Sequence, residues 1–306
     1  MSPTVSVVIP TFNRADLILE ALSSIQAQTR PVNEVIIIDD GSTDDTQRVV
    51  AGFTGRVTYI RQTNAGQAAA RNHGMSVAKS DYIAFLDSDD LWAHDRIERQ
   101  FEALDQFPSL DLVFGREAKF SSQKNFEECA IRDRLVLSRL ESARCIVPEP
   151  FALLLRENFV PTSTALFRRS CLSAVGFMDP AAQPSEDYDF WLRFALKGYQ
   201  FGFVDKILGH RRMHEGNLVN QWFKLTNSVV EVLDRYKACY PDQHDFVARR
   251  LSGLHYDLGS HLFKRLEFGR ALLHLKQSRP SGHTRVVWAA KLASARLLGR
   301  RNHDEA

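Results

Sequence analysis

Apolar residues in this chain fall into short, nearly continuous runs, separated by stretches where they recur every three or four positions. Residues 5–9 form the first run, stopped by Pro10, and Leu17, Ile18, Ala21, Leu22 and Ile25 then follow at helical spacing. The unit recurs at 35–38, ahead of Asp39, Asp40, Gly41, Ser42 and a helix whose first turn is expected to carry Asp44 and Asp45 near the positive end of its dipole. It recurs again at 57–60, with a loop through Asn64 and Gly66 and a helix to about residue 78, and once more at 82–86. Continuous apolar strands alternating with helices predict a parallel α/β sheet covered on both faces.

Sheets of this kind bind ligands beyond the carboxyl ends of their strands. The residues expected there are 11–14, 39–42, 62–66 and 87–90, a concentration of polar groups on one rim. Asp87, Ser88, Asp89 and Asp90 directly follow the apolar run 82–86. In extended backbone Asp87 and Asp89 point the same way. Two such carboxylates offer the hard oxygens that suit Mg²⁺ or Mn²⁺ beside a diphosphate. An acidic surface turn is the alternative for an Asp-x-Asp motif alone, and the convergence of four strand ends favours the ligand site.

Further along the pattern changes. Residues 116–150 carry many charges with Ser121 and Ser122 among scattered apolar positions, which predicts a variable connection or lid. Order returns at 151–155, in a strand-like stretch at 160–167, and in a helix after Pro184 and Ser185. From about residue 217 the chain reads as mainly helical, with Trp222, Leu225, Val229, Val230 and Leu233 at compatible spacing. The expected divisions are 1–115, 116–218 and 219–306.

Composition narrows the function classes. Among 306 residues, 39 Lys and Arg stand against 37 Asp and Glu, a net charge of +2 that argues against a nucleic-acid partner. Cys129, Cys145, Cys171 and Cys239 lie far apart without a C-x-x-C pair, which indicates reduced thiols in a cytoplasm rather than zinc or a disulfide framework. The first ten residues lack a signal peptide's features, and no apolar run approaches the roughly 20 residues of a membrane span. The expectation is a soluble or peripheral cytoplasmic protein. Near the end, Val286, Val287, Trp288, Leu292, Leu297 and Leu298 are interspersed with Arg285, Lys291, Arg296, Arg300 and Arg301. Such a basic helix either rests on the anionic inner face of a membrane or packs on the catalytic domain or another subunit.

Five ordered blocks carry a resemblance to a known family. They are 5–14; 35–46; Asn64, Gly66, Ala70, Arg71, Asn72 and Gly74; the acidic residues 87–90; and Glu186–Asp187 followed by Arg212 and His214. Together, over roughly residues 5–218, the chain resembles the family 2 glycosyltransferases of the inverting GT-A type, bacterial enzymes that transfer sugars from nucleotide donors. The resemblance implies an α/β GT-A nucleotide-diphospho-sugar transferase fold, a Rossmann-like and mostly parallel sheet flanked by helices, with a helical C-terminal extension. It implies a nucleoside diphosphate sugar as donor, UDP favoured, and a hydroxyl of a glycan or lipid-linked saccharide as acceptor. Pro10, Thr11, Phe12, Arg14, Asp39, Asn64, Arg71, Asp87, Ser88 and Glu186 would contact substrates. Asp87, Asp89 and His214 would hold Mg²⁺ or Mn²⁺, and Asp187 would be the general base.

Each assignment has a plainer counterpart. Phe12 packs against a base or is ordinary core. Asp39 accepts from a pyrimidine N–H or caps the next helix, a task that suits Asp40 better. Arg71 meets base or diphosphate, or pairs with an acidic neighbour. Glu186 and Asp187 serve the reaction, or simply stabilise the first turn of a helix over 186–197 anchored by Phe190, Trp191 and Phe194. His214 contacts metal or diphosphate, or is a solvated loop histidine. A sugar nucleotidyltransferase would need a Gly-rich basic loop after the first strand, which is absent. A phosphoacceptor domain built on Asp39, Asp40 and Asp87 leaves the later blocks unexplained. A non-catalytic sugar-nucleotide-binding subunit stays open.

Overall fold

The structure is a computed structural model and describes residues 3–121, 126–129, 131–213, 221–237, 239, 244–279 and 284–304. The chain forms two compact units, 1–215 and 216–306. In the first, the alternating pattern becomes β1 (Val5–Thr11), α1 (Ile18–Gln26), β2 (Glu34–Asp39), α2 (Thr46–Ala51), β3 (Thr58–Arg61), α3 (Gln67–Val77) and β4 (Tyr82–Phe85). These strands are parallel, and β1 lies between β2 and β4, with Val7 opposite both Val35 and Ala84. Every residue of β1 is buried, as a strand covered on both faces requires. α3 lies so close to β1 that a Cβ on Gly74 would stand 2.3 Å from Val8 Cγ1.

The chain continues through β5 (Leu91–Trp92), α4 (Arg96–Gln106), β6 (Leu112–Phe120), β7 (Phe126–Glu128), α5 (Arg134–Ser142), α6 (Pro150–Leu154), β8 (Leu166–Arg168), α7 (Leu172–Val175), α8 (Glu186–Leu196) and β9 (Phe201–Arg212). Among the described residues nine strands make one sheet in the order β3-β2-β1-β4-β8-β6-β9-β5, with β7 on β6. It is mixed: β8 runs antiparallel to β4 and β6, while β6 and β9 are parallel.

Three expectations are corrected here. The stretch 116–150 is no loose lid, because its start completes β6, which is central, and it goes on to β7 and α5; the 115/116 division falls inside β6. Charge hides this strand in the sequence, since Glu117 is buried and compensated by Arg211 of β9 at 2.6 Å. The run 160–167 is a strand only at its end, because Thr162–Thr164 turns as a 3-10 helix before β8. Asp44 and Asp45 precede α2 instead of lying in its first turn.

The second unit is helical: α9 (Trp222–Tyr236), α10 (His244–Lys264), α11 (Phe268–Gln277) and α12 (Thr284–Asp304). The 218/219 division lies outside the described residues. Leu275, Leu292 and Ala295 form a core with Tyr256, Phe263, Leu272 and Trp288 around them. Trp288 Nε1 donates to the Leu275 carbonyl at 2.8 Å, and Lys291 Nζ to Ser260 Oγ at 2.9 Å. Trp288, Leu292 and Ala295 of α12 are thus packed on their own unit's helices, while Val287 and Leu297 are exposed. Among the described residues no helix is long and apolar enough to cross a membrane.

His255 of α10 and His274 of α11 meet with their Nδ1 atoms 3.0 Å apart. One ring must donate and the other accept, so both cannot be cations in this geometry. Burial lowers both pKa values; His274 is lowered further by His255 and Arg270, while Asp234 opposes the effect at His255. With folded pKa values below the unfolded one of about 6.5, the unfolded chain binds protons first as pH falls. The helical unit should therefore lose stability from about pH 6.5 downward. Denaturant midpoints at pH 7 and pH 5 should differ, and His255→Phe should shrink that difference.

Candidate active site

The strand registers set the ends of β1, β2 and β3 level, with Thr11 opposite Asp39 and Asp39 opposite Arg61. Beyond those ends the rim is stitched together by side chains. Asn13 takes φ 52°, and its Oδ1 accepts from the Thr43 N–H at 2.8 Å, while its own N–H donates to Ser42 Oγ at 2.9 Å. Gly41 adopts φ +83° where a Cβ would stand 3.1 Å from Asn64 N, so the second and third rim loops meet closely. Asp40 does not cap α2. Its carboxylate accepts from Gln62 Nε2 at 2.8 Å, Ala65 N at 2.9 Å and Gly66 N at 2.8 Å, which holds the loop bearing exposed Asn64.

Asp39 is buried; one oxygen accepts from Ser42 N at 2.8 Å and the other takes the Tyr59 hydroxyl. Burial and that carboxylate together push the Tyr59 phenol up. Pro10 and Thr11 are buried in β1, and Thr11 Oγ1 lacks a hydrogen-bond partner. Phe12 is 43% exposed, so it is a rim ring and not core.

After β4 the chain does not stay extended. The Asp90 N–H donates to the Asp87 carbonyl at 3.0 Å, forming a turn that buries Ser88 and Asp90. Asp87 and Asp89 consequently turn to different partners, which corrects their expected alignment. Asp87 Oδ1 accepts from Arg71 Nη2 at 2.7 Å and Gln67 Nε2 at 3.1 Å, whereas Asp89 Oδ2 accepts from Arg14 Nη2 at 3.2 Å. Asp90 accepts from Ser163 Oγ at 2.8 Å and from the Arg212 N–H at 3.0 Å. Burial, with Glu117, Asp87 and Asp89 nearby, holds its carboxyl well above the usual range. Arg212 also donates from Nε to the Asp89 carbonyl at 3.0 Å.

Ser185 precedes α8, which opens on Glu186 and Asp187. Beneath them Phe190, Trp191 and Phe194 are fully buried against Phe167, with Phe85 touching Phe167 and Trp191, so the helix start is rigidly mounted. Asp187 is half-buried, and its Oδ2 accepts from Thr162 Oγ1 at 2.7 Å. Glu186 is buried; Oε1 accepts from Arg71 Nη1 at 2.9 Å, and Oε2 has no hydrogen-bond partner among the described residues. Burial raises its pKa and Arg71 opposes the rise. Arg71, whose side chain is 4% exposed, thus has both terminal nitrogens on carboxylates, the pairing weighed against a base or diphosphate contact. Although burial opposes its charge, Asp87 and Glu186 keep it firmly protonated.

Hard carboxylate oxygens suit Mg²⁺ or Mn²⁺, and among the described residues the hydrogen bonds from Arg71 and Gln67 to Asp87 both go to Oδ1. Among the described residues no three His, Cys, Asp or Glu side chains are gathered to hold a metal, so this donor set fits a cation only if substrate oxygens complete it. His214 lies outside the described residues. Thr162, Ser163, Gln67 and Arg211 gave no local signal, because each acts on a residue distant in sequence or on another strand.

The mixed sheet flanked by helices, followed by a helical C-terminal region, is a fold of the GT-A type. The sequence model described as "Glycosyl transferase family 2" matches residues 6–176, and the chain belongs to that family. It is similar to an uncharacterized glycosyltransferase of Rickettsia typhi, 26% identical over 78% of this chain and 71% of that one. It is also similar to the Escherichia coli UDP-Glc:alpha-D-GlcNAc-diphosphoundecaprenol beta-1,3-glucosyltransferase WfaP, 30% identical over 72% of this chain and 81% of that one. Among solved structures, S. aureus TarS 1-349 in complex with UDP superposes with a TM-score of 0.62 at 16% identity, covering 99% of this chain and 92% of that one.

Asp40→Ala leaves three rim N–H donors without their acceptor. It should lower stability by about 1–3 kcal/mol in denaturant unfolding and speed amide exchange at residues 65 and 66 first.

Proposed function

We propose that this glycosyltransferase moves a hexose from a UDP-sugar to a hydroxyl of a lipid-linked saccharide, with inversion at the anomeric carbon. The observation that carries the reading is the pair of acidic groups held by one guanidinium: the turn after β4 on the donor side and the start of α8 on the acceptor side. Support for UDP comes from the UDP-Glc in the name of WfaP and from the UDP in complex with TarS. Support for a lipid-linked acceptor comes from the diphosphoundecaprenol in the same name.

Phe12, exposed at the end of β1, offers a face to the base. An Asp39 contact to a pyrimidine N–H would require the Tyr59 hydroxyl to yield its place. Arg14, paired with Asp89, and Arg212, bonded to the Asp89 carbonyl, would supply cations for the diphosphate. Asp87 and Asp89 would hold Mg²⁺ or Mn²⁺, which supplies neutralisation of charge on the departing diphosphate. Asp187 takes the proton of the acceptor hydroxyl as its oxygen bonds to the anomeric carbon. The bond from that carbon to the diphosphate oxygen breaks on the opposite face, and its electron pair leaves with UDP. No covalent enzyme intermediate forms. The Thr162 hydroxyl orients the base, and the aromatic mount of α8 keeps it in place. A lipid-linked acceptor would bring the protein to a membrane face. The packed side of α12 is not the contact, since Trp288 and Leu292 are already engaged.

Asp187→Asn keeps the shape and removes the base. Turnover of UDP-glucose should fall by about two orders of magnitude or more while UDP affinity stays nearly unchanged. Near-normal turnover would reject the role, and retention of anomeric configuration in the product would reject the single-displacement scheme. For Asp89→Ala, calorimetry should find that Mn²⁺ no longer strengthens UDP binding. Equal metal enhancement in variant and wild type would remove Asp89 from the metal site, and binding without any turnover in the wild type would favour a non-catalytic subunit.

A further inference from the structure

α3 grips both sides of the site. Its Gln67 and Arg71, one helical turn apart, both donate to Asp87 Oδ1, and Arg71 also reaches Glu186. The neighbouring Asn72 forms a two-way amide bridge with Met178, donating to its carbonyl at 2.8 Å and accepting from its N–H at 2.9 Å. With its amide oxygen facing the helix, Gln183 accepts from Gln67 N at 3.1 Å and Ala68 N at 2.8 Å, which caps α3 with the loop leading into α8. The helix itself is seated on β1 by the close approach of Gly74 to Val8. Among the described residues Arg71 Nε is buried without a hydrogen-bond partner, both terminal nitrogens are on carboxylates, and the side chain is 4% exposed.

We infer that Arg71 is a positioning residue and not a donor ligand: α3, through Arg71, Asn72 and its cap by Gln183, sets where Glu186 and Asp187 stand relative to Asp87. The inference rests on the transferase reading for its consequence, since the distance it fixes is that between the proposed base and the departing diphosphate. A planar fork can hold two carboxylates at one spacing, whereas a lysine ammonium on its flexible stem cannot reproduce that geometry. Displacements of about 1 Å at a reacting centre cost on the order of a hundredfold in rate.

The test compares Arg71→Lys, Arg71→Met and Asn72→Ala with the wild-type full chain. Arg71→Lys and Asn72→Ala keep the question answerable if the methionine variant fails to fold. Turnover of UDP-glucose should fall by about thirtyfold or more in Arg71→Lys while UDP affinity with Mn²⁺ stays within about threefold. Loss of UDP affinity in proportion to turnover would make Arg71 a donor ligand and overturn the inference. Hydrogen exchange without substrate should quicken at 185–188 in Arg71→Lys and Asn72→Ala and stay unchanged at 5–11. Unchanged exchange at 185–188 would equally overturn it. Because that arm needs no substrate, a wild type inactive on UDP-glucose would count against the transferase reading while the exchange still decides the positioning role.

Discussion

The site depends on how carboxylates survive out of water. Asp87, Asp90, Glu117 and Glu186 crowd the region around the end of β4, and three of them are buried. An ion pair withdrawn from solvent recovers its desolvation cost only where geometry and further hydrogen bonds are good, and removing one partner costs about 3–5 kcal/mol. The partners come from three places: Arg71 on α3, Arg211 and the Arg212 N–H on β9, and, for the adjoining Asp89, Arg14 after β1. The sheet order and the placing of α3 are what bring those cations within reach. Loss of Arg71 or Arg211 would leave a buried carboxylate, Glu186 or Glu117, without its cation.

The same arrangement is not fully satisfied, and that is consistent with a site. Among the described residues, Glu186 Oε2 and Thr11 Oγ1 are buried without hydrogen-bond partners. Unpaired buried polar atoms lower stability, and the aromatic mount under α8 offsets the cost, since each fully buried large side chain contributes about 1.5–3 kcal/mol. A rigid mount is a condition under which a carboxylate can be held ready for a substrate hydroxyl.

The chemistry of the rim was legible wherever strand ends and polar residues adjoin in the chain. Phe12, Asp39, Asn64 and Asp87 could be assigned to one edge from periodicity, because a parallel strand must deliver its following residue to the carboxyl side. What each then does was less legible. Asp40 reads as a helix cap by its spacing, yet holds a loop 25 residues further on. Arg71 reads as a ligand by its place near the rim, yet its partners are carboxylates 16 and 115 residues away. β6 reads as a loop because Glu117 and its charged neighbours break the apolar run, and only the β9 cation makes burial possible.

By itself, then, the sequence determined the alternating strands and helices, the rim they share, and the helix that begins at Glu186. These follow from local periodicity, turn residues and caps, which act over a few positions. Tertiary structure alone decided that β8 inserts antiparallel beside β4, that Thr162 meets Asp187, and that one guanidinium joins Asp87 to Glu186. Those choices arise from pairing between distant segments in a low-dielectric interior, where the worth of a charge is set by whatever the fold brings opposite it.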